Sequence, residues 1–353
     1  MFRSSPEASS SIPLQIIDRD QHNLSRSNIS EAALKVLYRL HKADYEAYLV
    51  GGGVRDNLLG LSPKDFDVST NATPEQVNQL FRNSRLIGRR FKIVHVVYGR
   101  EIIEVATFRA PPSEDVSDKV GAQDDQGMIL RDNVFGSKDE DAMRRDFTIN
   151  ALYYNIADFS VHAYAGAWQD LAERRLRMIG DPATRYREDP VRMIRAVRFS
   201  AKLDFTIEPD SAKPIYELAP VLGQIPAARL FEECLKLFLH GKALPTLRQL
   251  REYGLFAPLF PMTEARMQDN ERTVKLVEQT MENTDIRIQA GKSVTPYFFL
   301  ASLLWPEVVR LRDQYESEGM SIYPALHKAS DVVLAKQVKS VAIPKRFSIP
   351  MRE

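Results

Sequence analysis

The chain has 353 residues, 44% of them hydrophobic and 27% charged, which fits a globular protein with a substantial core and length for two or three domains. Its 48 Lys and Arg against 47 Asp and Glu leave a formal net charge of +1, so no global basic excess marks it for nucleic acid. Any such contact rests on local clusters such as Arg89-Arg90-Phe91-Lys92, Arg144-Arg145 and Arg174-Arg175.

The polar, Ser-rich start has no apolar h-region, so no Sec signal is expected. No run reaches ~18 apolar residues, so no membrane span is expected and the cytoplasm is the default compartment. Residues 1–28 read as a disordered leader, low in apolar content. Ser30-Glu31 opens an amphipathic helix with Ala33, Leu34, Leu37 and Leu40 at helical spacing. A short strand at 46–50 runs into Gly51-Gly52-Gly53, and a helix starts at 54–59. Residues 66–69 are strand-like, and Thr73-Pro74-Glu75 caps another helix. Strands at 93–98 and 102–108 pair through Gly99-Arg100. Residues 110–140 are polar, with Asp124-Asp125 inside, and read as a long surface loop; 151–154 and 161–164 close the α/β part as a turn and strand. Beyond about residue 170 helical periodicity takes over, with helices at 191–203, 228–239, 247–253, 272–281 and 297–304. The only cysteine, Cys234, excludes an intrachain disulfide and argues against a cysteine zinc site. Apolar neighbours at helical spacing make it a buried structural thiol.

Three clusters carry chemistry. In the first, Leu49-Val50 leads through the glycine triplet to Val54-Arg55-Asp56. A strand that ends in glycines and enters a helix lets backbone N–H groups approach a phosphate chain, and Arg55 adds charge to that cradle. Lys64-Asp65-Phe66-Asp67-Val68 follows. Residues two apart on a strand share a face, so Asp65 and Asp67 point one way and Phe66 and Val68 towards the core. Two adjacent carboxylates call for cations between them, and a pair of Mg²⁺ ions suits in-line displacement at phosphorus. A glycine triplet alone is usually a turn and a lone Asp-x-Asp a solvated edge; the combination is more specific. Neither a Walker loop nor a dinucleotide fingerprint is present.

The second cluster offers a third carboxylate. Glu104 stands in an apolar strand, where a charge needs a reason, and Asp146 stands in Arg144-Arg145-Asp146-Phe147-Thr148-Ile149-Asn150. The plainer alternatives are an edge-strand charge and a helix N-cap. In the third cluster Asp189 is placed as an N-cap with Pro190 at the first helical position. Arg192, Arg195 and Arg198 form a slowly rotating stripe beside Val191, Ile194 and Val197. Such a set of donors and acceptors can read a base edge without a nucleic-acid template.

Together these motifs resemble the class II tRNA nucleotidyltransferase and bacterial poly(A) polymerase family, over roughly residues 20–350 and in the right order. Residues 228–236 resemble its neck helix, and Leu86 to Val96, Pro63 to Val68 and the leader before residue 30 resemble the poly(A)-adding branch. The resemblance implies an α+β head with a β-polymerase-like mixed sheet, followed by an all-α neck and body. The expected domains are the leader, a head at 29–165, a neck at 166–265 and a partial body at 266–353. It implies metal on Asp65 and Asp67, with two Mg²⁺ ions, and triphosphate on Gly51, Gly52 and Arg55. Nucleotide contacts fall to Arg145, Asn150, Arg192, Arg195 and Arg198, and base selection to Asp189. Asp146 is the acid of the polymerase branch and Glu104 its rival. The implied activity is transfer of AMP from ATP to RNA 3′ ends by a monomer, with RNA-decay factors as further partners. The alternatives are CCA addition to tRNA and an inactive, truncated RNA-binding protein. The very basic tail of that branch is missing from the sequence, which predicts weak RNA binding.

Overall fold

The computed structural model describes residues 13–88, 92–110, 121–123, 129–132 and 134–352. Residues 1–12 of the expected leader, Arg89-Arg90-Phe91 and most of the expected 110–140 loop, including Asp124-Asp125, lie outside the described residues. The chain divides into two compact units, Met1–Asp181 and Pro182–Glu353.

The first unit is built on an eight-stranded sheet. Its strands are β1 (Leu14–Ile17), β2 (Ala47–Val50), β3 (Asp67–Thr70), β4 (Ser84–Ile87), β5 (Ile93–Tyr98), β6 (Glu101–Thr107), β9 (Leu152–Asn155) and β10 (Val161–Tyr164). They lie in the order β1-β10-β9-β2-β3-β6-β5-β4. A separate antiparallel pair, β7 (Gly121–Gln123) and β8 (Ile129–Asp132), stands where only loop was expected. Neighbours in the large sheet are antiparallel except β3 and β6, whose parallel pairing sets Asp67 against Glu104. Gly99, at φ 61°, makes the two-residue turn between β5 and β6 possible.

Helix α1 (Glu31–Lys42) is capped by Ser30, whose Oγ accepts the Ala33 N–H at 3.1 Å. Its buried face, with Ala33, Val36, Leu37 and Leu40, packs on β2, β3 and β6. Beneath it Leu49, Val68, Val105 and Val94 form one register row across four strands, each at most 1% exposed. Helix α2 (Gly52–Leu58) follows the glycine turn, and α3 (Pro74–Leu80) carries the expected cap at Thr73, as a full capping box with Gln76. On the other face Tyr48, Val50, Phe108, Tyr153 and Tyr164 make a second core with Ala142 of α4 (Lys138–Met143).

Two expectations need correction here. Residues 14–17 are not part of a disordered leader: Leu14 to Ile17 pair with Tyr164 to Val161 at the sheet edge, and nearby Leu24 is fully buried. A four-residue strand is too short to show in composition, and the sheet supplies its partner. The head also runs past residue 165, because α5 (Ala167–Ala172) packs on β10 and its Asp170 accepts the Thr148 hydroxyl at 2.7 Å.

The second unit is helical. It comprises α6 (Pro182–Glu188), α7 (Val191–Leu203), α8 (Pro209–Leu218), α9 (Ala227–Phe238), α10 (Ala243–Glu252), α11 (Phe256–Leu259), α12 (Pro261–Asp269), α13 (Glu271–Gln289), α14 (Pro296–Ser317), α15 (Ile322–Gln337) and α16 (Lys345–Ser348). Phe238 meets Phe260 and Phe299, and Cys234 is 1% exposed, so burial pushes its thiol pKa up. Helix α12 spans the neck–body boundary expected at 265 and packs on α13 and α14, so the unit has no break there. Helices α13 and α14 outrun the expected 272–281 and 297–304: α13 presents few apolar residues, and Pro306 interrupts the pattern inside α14. Among the described residues no helix is long and apolar enough to cross a membrane.

Candidate active site

The glycine triplet forms the turn between β2 and α2. Gly51 sits at φ 59°, ψ −124°, a backbone region that glycine favours, and its N–H donates to Leu152 O at 3.1 Å. A Cβ there would stand 3.2 Å from Arg145 Nη1, so the small residue also admits the guanidinium. Gly52 and Gly53 take ordinary helical positions, where a Cβ would meet atoms no closer than 3.4 Å. The first turn of α2 leaves its N–H groups without intrahelical acceptors.

Arg55 lies under this turn and is 3% exposed. Its Nε and Nη2 donate to Asp56 Oδ1 at 2.8 and 2.6 Å, and Nη1 donates to Asn150 Oδ1 at 2.6 Å. Asn150 in turn donates to Asp146 Oδ1 at 2.9 Å, which also accepts the Phe147 N–H. Asp146 thus serves to orient Asn150 and, through it, Arg55.

The sheet itself arranges the acids. Register pairs Tyr153 with Val50, Val50 with Asp67, Asp67 with Glu104 and Glu104 with His95. Directly paired residues share a face, so these five form one row across β9, β2, β3, β6 and β5. Asp65 lies just before β3; it and Asp67 are exposed while Phe66 and Val68 are buried, the alternation expected from the sequence. Glu104 Oε2 stands 3.6 Å from His95 Nε2. Solvent reaches the Asp67 carboxyl, yet protein surrounds it on most sides. That desolvation, with the negative charges of Glu104 and Asp65 and against the pull of Arg145, lifts its pKa to about 6. A carboxyl held up by its like-charged neighbours is a place where a cation is stabilised, and all-oxygen donors suit a hard divalent ion. The residues therefore fit a divalent metal, although among the described residues no group of three or more His, Cys, Asp or Glu forms a ready-made cage.

Arg145 lies beside this row. Its Nε donates to the Tyr153 hydroxyl at 2.8 Å and its Nη2 to Asp141 Oδ2 at 3.2 Å. Burial works against its charge, and Tyr153 and Asp141 more than offset that, so its pKa stands above the ordinary arginine value. Asp141 and Tyr153 were not singled out in the sequence; Asp141 looks there like one of several first-turn acids of α4 and Tyr153 like a strand aromatic.

The remaining expected residues belong to the second unit. Helix α7 starts at Val191 with Pro190 at its boundary, rather than with Asp189 as the assigned cap. Asp189 Oδ1 still accepts the Val191 N–H at 3.3 Å, and its Oδ2 accepts Arg229 Nη2 at 2.7 Å. Arg192 is buried and donates from Nη1 to Glu188 Oε2 and to Arg185 O, both at 2.8 Å. Arg195 and Arg198 lie 5.5 and 4.9 Å from the Phe199 ring centroid. The arginines are thus knitted into a helix with apolar neighbours buried nearly all round, and do not form a bare solvated stripe.

Comparison with known proteins gives the family. The sequence matches the Poly A polymerase head domain over residues 47–177, a probable RNA and SrmB-binding site of polymerase A over 204–267, and the Polymerase A arginine-rich C-terminus over 318–353. The last match falls on a stretch expected to be partial body with the basic tail absent. The chain is 54% identical to the Poly(A) polymerase I of Salmonella typhi over 344 residues, 96% of this chain and 74% of that protein. It is 40% identical to the CCA-adding enzyme of Lactobacillus helveticus over 58% of this chain and 49% of that protein. The solved CCA-adding enzyme of Bacillus stearothermophilus in complex with CTP superposes with a TM-score of 0.58 at 25% identity, covering 91% of this chain and 81% of that one. The likeness to the first of these runs through head and helical unit alike and reaches the strand that sets Glu104 beside Asp67, and on that ground the chain belongs to the bacterial poly(A) polymerase family.

Proposed function

We propose that the protein is a template-independent poly(A) polymerase that transfers AMP from ATP to RNA 3′ ends. The observation that carries it is 54% identity across 96% of the chain to a Poly(A) polymerase I, against 40% across 58% to a CCA-adding enzyme. In this reading Asp65 and Asp67 hold Mg²⁺, as two ions. Glu104, in register with Asp67, is the third carboxylate in preference to Asp146, whose carboxyl is engaged with Asn150. The bound metal would lower the pKa of the RNA 3′ hydroxyl and neutralise the leaving pyrophosphate.

The chain's own groups do the rest. Backbone N–H groups of the first turn of α2, from Gly52 on, receive the triphosphate, while the Gly51 N–H is held by Leu152 O and fixes the turn. Arg55, fixed by Asp56 and Asn150 with a guanidinium nitrogen 3.5 Å from where a Gly52 Cβ would stand, places positive charge directly behind that turn. Arg145 contacts the nucleotide from the Gly51 side. Asp189, Arg192, Arg195 and Arg198 are assigned to base selection on the strength of their motif. RNA binding by residues 204–267, recruitment of RNA-decay factors, a monomeric state and a cytoplasmic site of action belong to the same reading.

The test is primer extension on a non-tRNA oligonucleotide with each nucleoside triphosphate in turn. Long products with ATP alone, lost in Asp65→Ala and Asp67→Ala, are expected. Addition limited to CTP-dependent repair of tRNA ends would replace the reading with CCA addition. Failure to extend any primer would leave the alternative of an inactive RNA-binding protein, which the intact acid row argues against.

A further inference from the structure

We propose that Asp141 and Tyr153 are positioning residues that hold the Arg145 guanidinium against the Gly51 turn, and that Asp141 ties this nucleotide contact to the strand carrying Glu104. The proposal rests on the reading of Arg145 as a nucleotide contact.

The three side chains form a closed triangle. Arg145 donates to Tyr153 and Asp141, and the Tyr153 hydroxyl donates to Asp141 Oδ2 at 2.6 Å. The other carboxylate oxygen, Oδ1, accepts the Arg109 N–H at 3.2 Å, two residues after β6 ends. One carboxylate therefore bridges the continuation of the Glu104 strand and the arginine. Tyr153 supplies the third fixed point. It pairs with Val50, the residue before Gly51, and its ring meets Tyr48 and Tyr164 edge-on at centroid distances of 6.0 and 5.5 Å. Neither anchor has room to swing: Tyr153 is fully buried and Asp141 is 7% exposed. Asp141 is also held by its helix, since Ser137 and Glu140 close a capping box on α4.

A carboxylate at this depth is destabilising unless its charge is met; the arginine assigned to the nucleotide is ion-paired with it at 3.2 Å, and the half-buried Arg109 also acts on it electrostatically. A long arginine side chain free in solvent loses rotamer freedom when it grips a ligand. Locking it beforehand removes that cost from binding, so the triangle contributes to affinity without touching ATP. Arg145 Nη1 lies against the glycine turn, 3.2 Å from where a Gly51 Cβ would stand.

The experiment is the ATP dependence of primer extension by the full chain in Asp141→Asn, Tyr153→Phe, the double variant and Arg145→Ala. KM for ATP is expected to rise about tenfold in each of the first two, with kcat within about twofold. The double variant is expected to match the worse single one, because both act on the same guanidinium. An unchanged KM in Asp141→Asn at unchanged melting temperature would overturn the proposal, as would effects that multiply in the double variant. Asp141→Asn, which keeps size and shape, decides the matter if Tyr153→Phe melts too low to assay. An Arg145→Ala enzyme with normal KM would sink the nucleotide role of Arg145 itself. A raised KM there with a normal one in Asp141→Asn sinks only the positioning.

Discussion

Replacing Glu104 by Gln separates the two candidate third acids. Glu104 is the largest charged contributor, after desolvation, to the rise of the Asp67 pKa from 3.8 to about 6. A rise of about two units corresponds to about 3 kcal/mol, which solvent at the exposed carboxyl reduces to about 1–2 kcal/mol, and Glu104 accounts for part of that. Removing its charge lets Asp67 ionise at lower pH and, in the proposed reading, would also take a ligand from the metal. Two effects follow. The acid limb of the activity profile, set by the proton that must leave Asp67, moves to lower pH. The turnover number falls about a hundredfold, because stabilisation of the transferring phosphoryl group is lost. Asp146→Asn disturbs the orientation of Asn150 and, through it, Arg55, without removing a charge from the Asp67–Glu104 row, so it is expected to raise KM for ATP and to leave the acid limb in place. Primer extension between pH 5 and pH 8 at a fixed, subsaturating divalent-ion concentration, where proton and metal compete for Asp67, each variant against the parent, is the assay. A Glu104→Gln enzyme with parental turnover, beside a dead Asp146→Asn enzyme, would refute the register argument.

Further outcomes are expected. Gly51→Ala forces a Cβ into a left-handed backbone position and against Arg145, so it is expected to cost about 1–3 kcal/mol of stability and to weaken ATP binding, read by thermal melting and by KM. In chelator the raised pKa of Asp67 means that the folded chain holds that proton more tightly than the unfolded one. The associated stability is present below the ordinary carboxyl pKa and is lost as pH rises through about 6. Asp67→Asn is therefore expected to melt higher than the parent at pH 7.5 in chelator, with the gap closing towards pH 4 and on adding divalent ion to the parent. A pH-independent gap would contradict the assignment.

Local sequence alone carried a good deal of the fold. The Ser30 and Thr73 caps, the β5–β6 hairpin through Gly99 and the helix at 191–203 depend on contacts within a few residues, and each stands where expected. The exposed Asp65 and Asp67 around buried Phe66 keep the alternation read from the sequence, although Asp65 and Phe66 precede β3. Elements whose stability comes from elsewhere stayed hidden. Strand β1 exists because β10 offers it an edge, and of α13 only the stretch 272–281 was legible, its further length being packed on α10, α12 and α14. The same division runs through the site. The sequence could nominate Asp65, Asp67 and the glycine turn, since they are compact in the chain. It could not choose between Glu104 and Asp146, nor notice Asp141 and Tyr153. Those depend on the parallel register of β3 with β6 and on a buried triangle closed between α4, β9 and Arg145. Strand register and the pairing of buried charge are settled only when distant segments meet, because both minimise the cost of groups that each segment alone leaves unsatisfied.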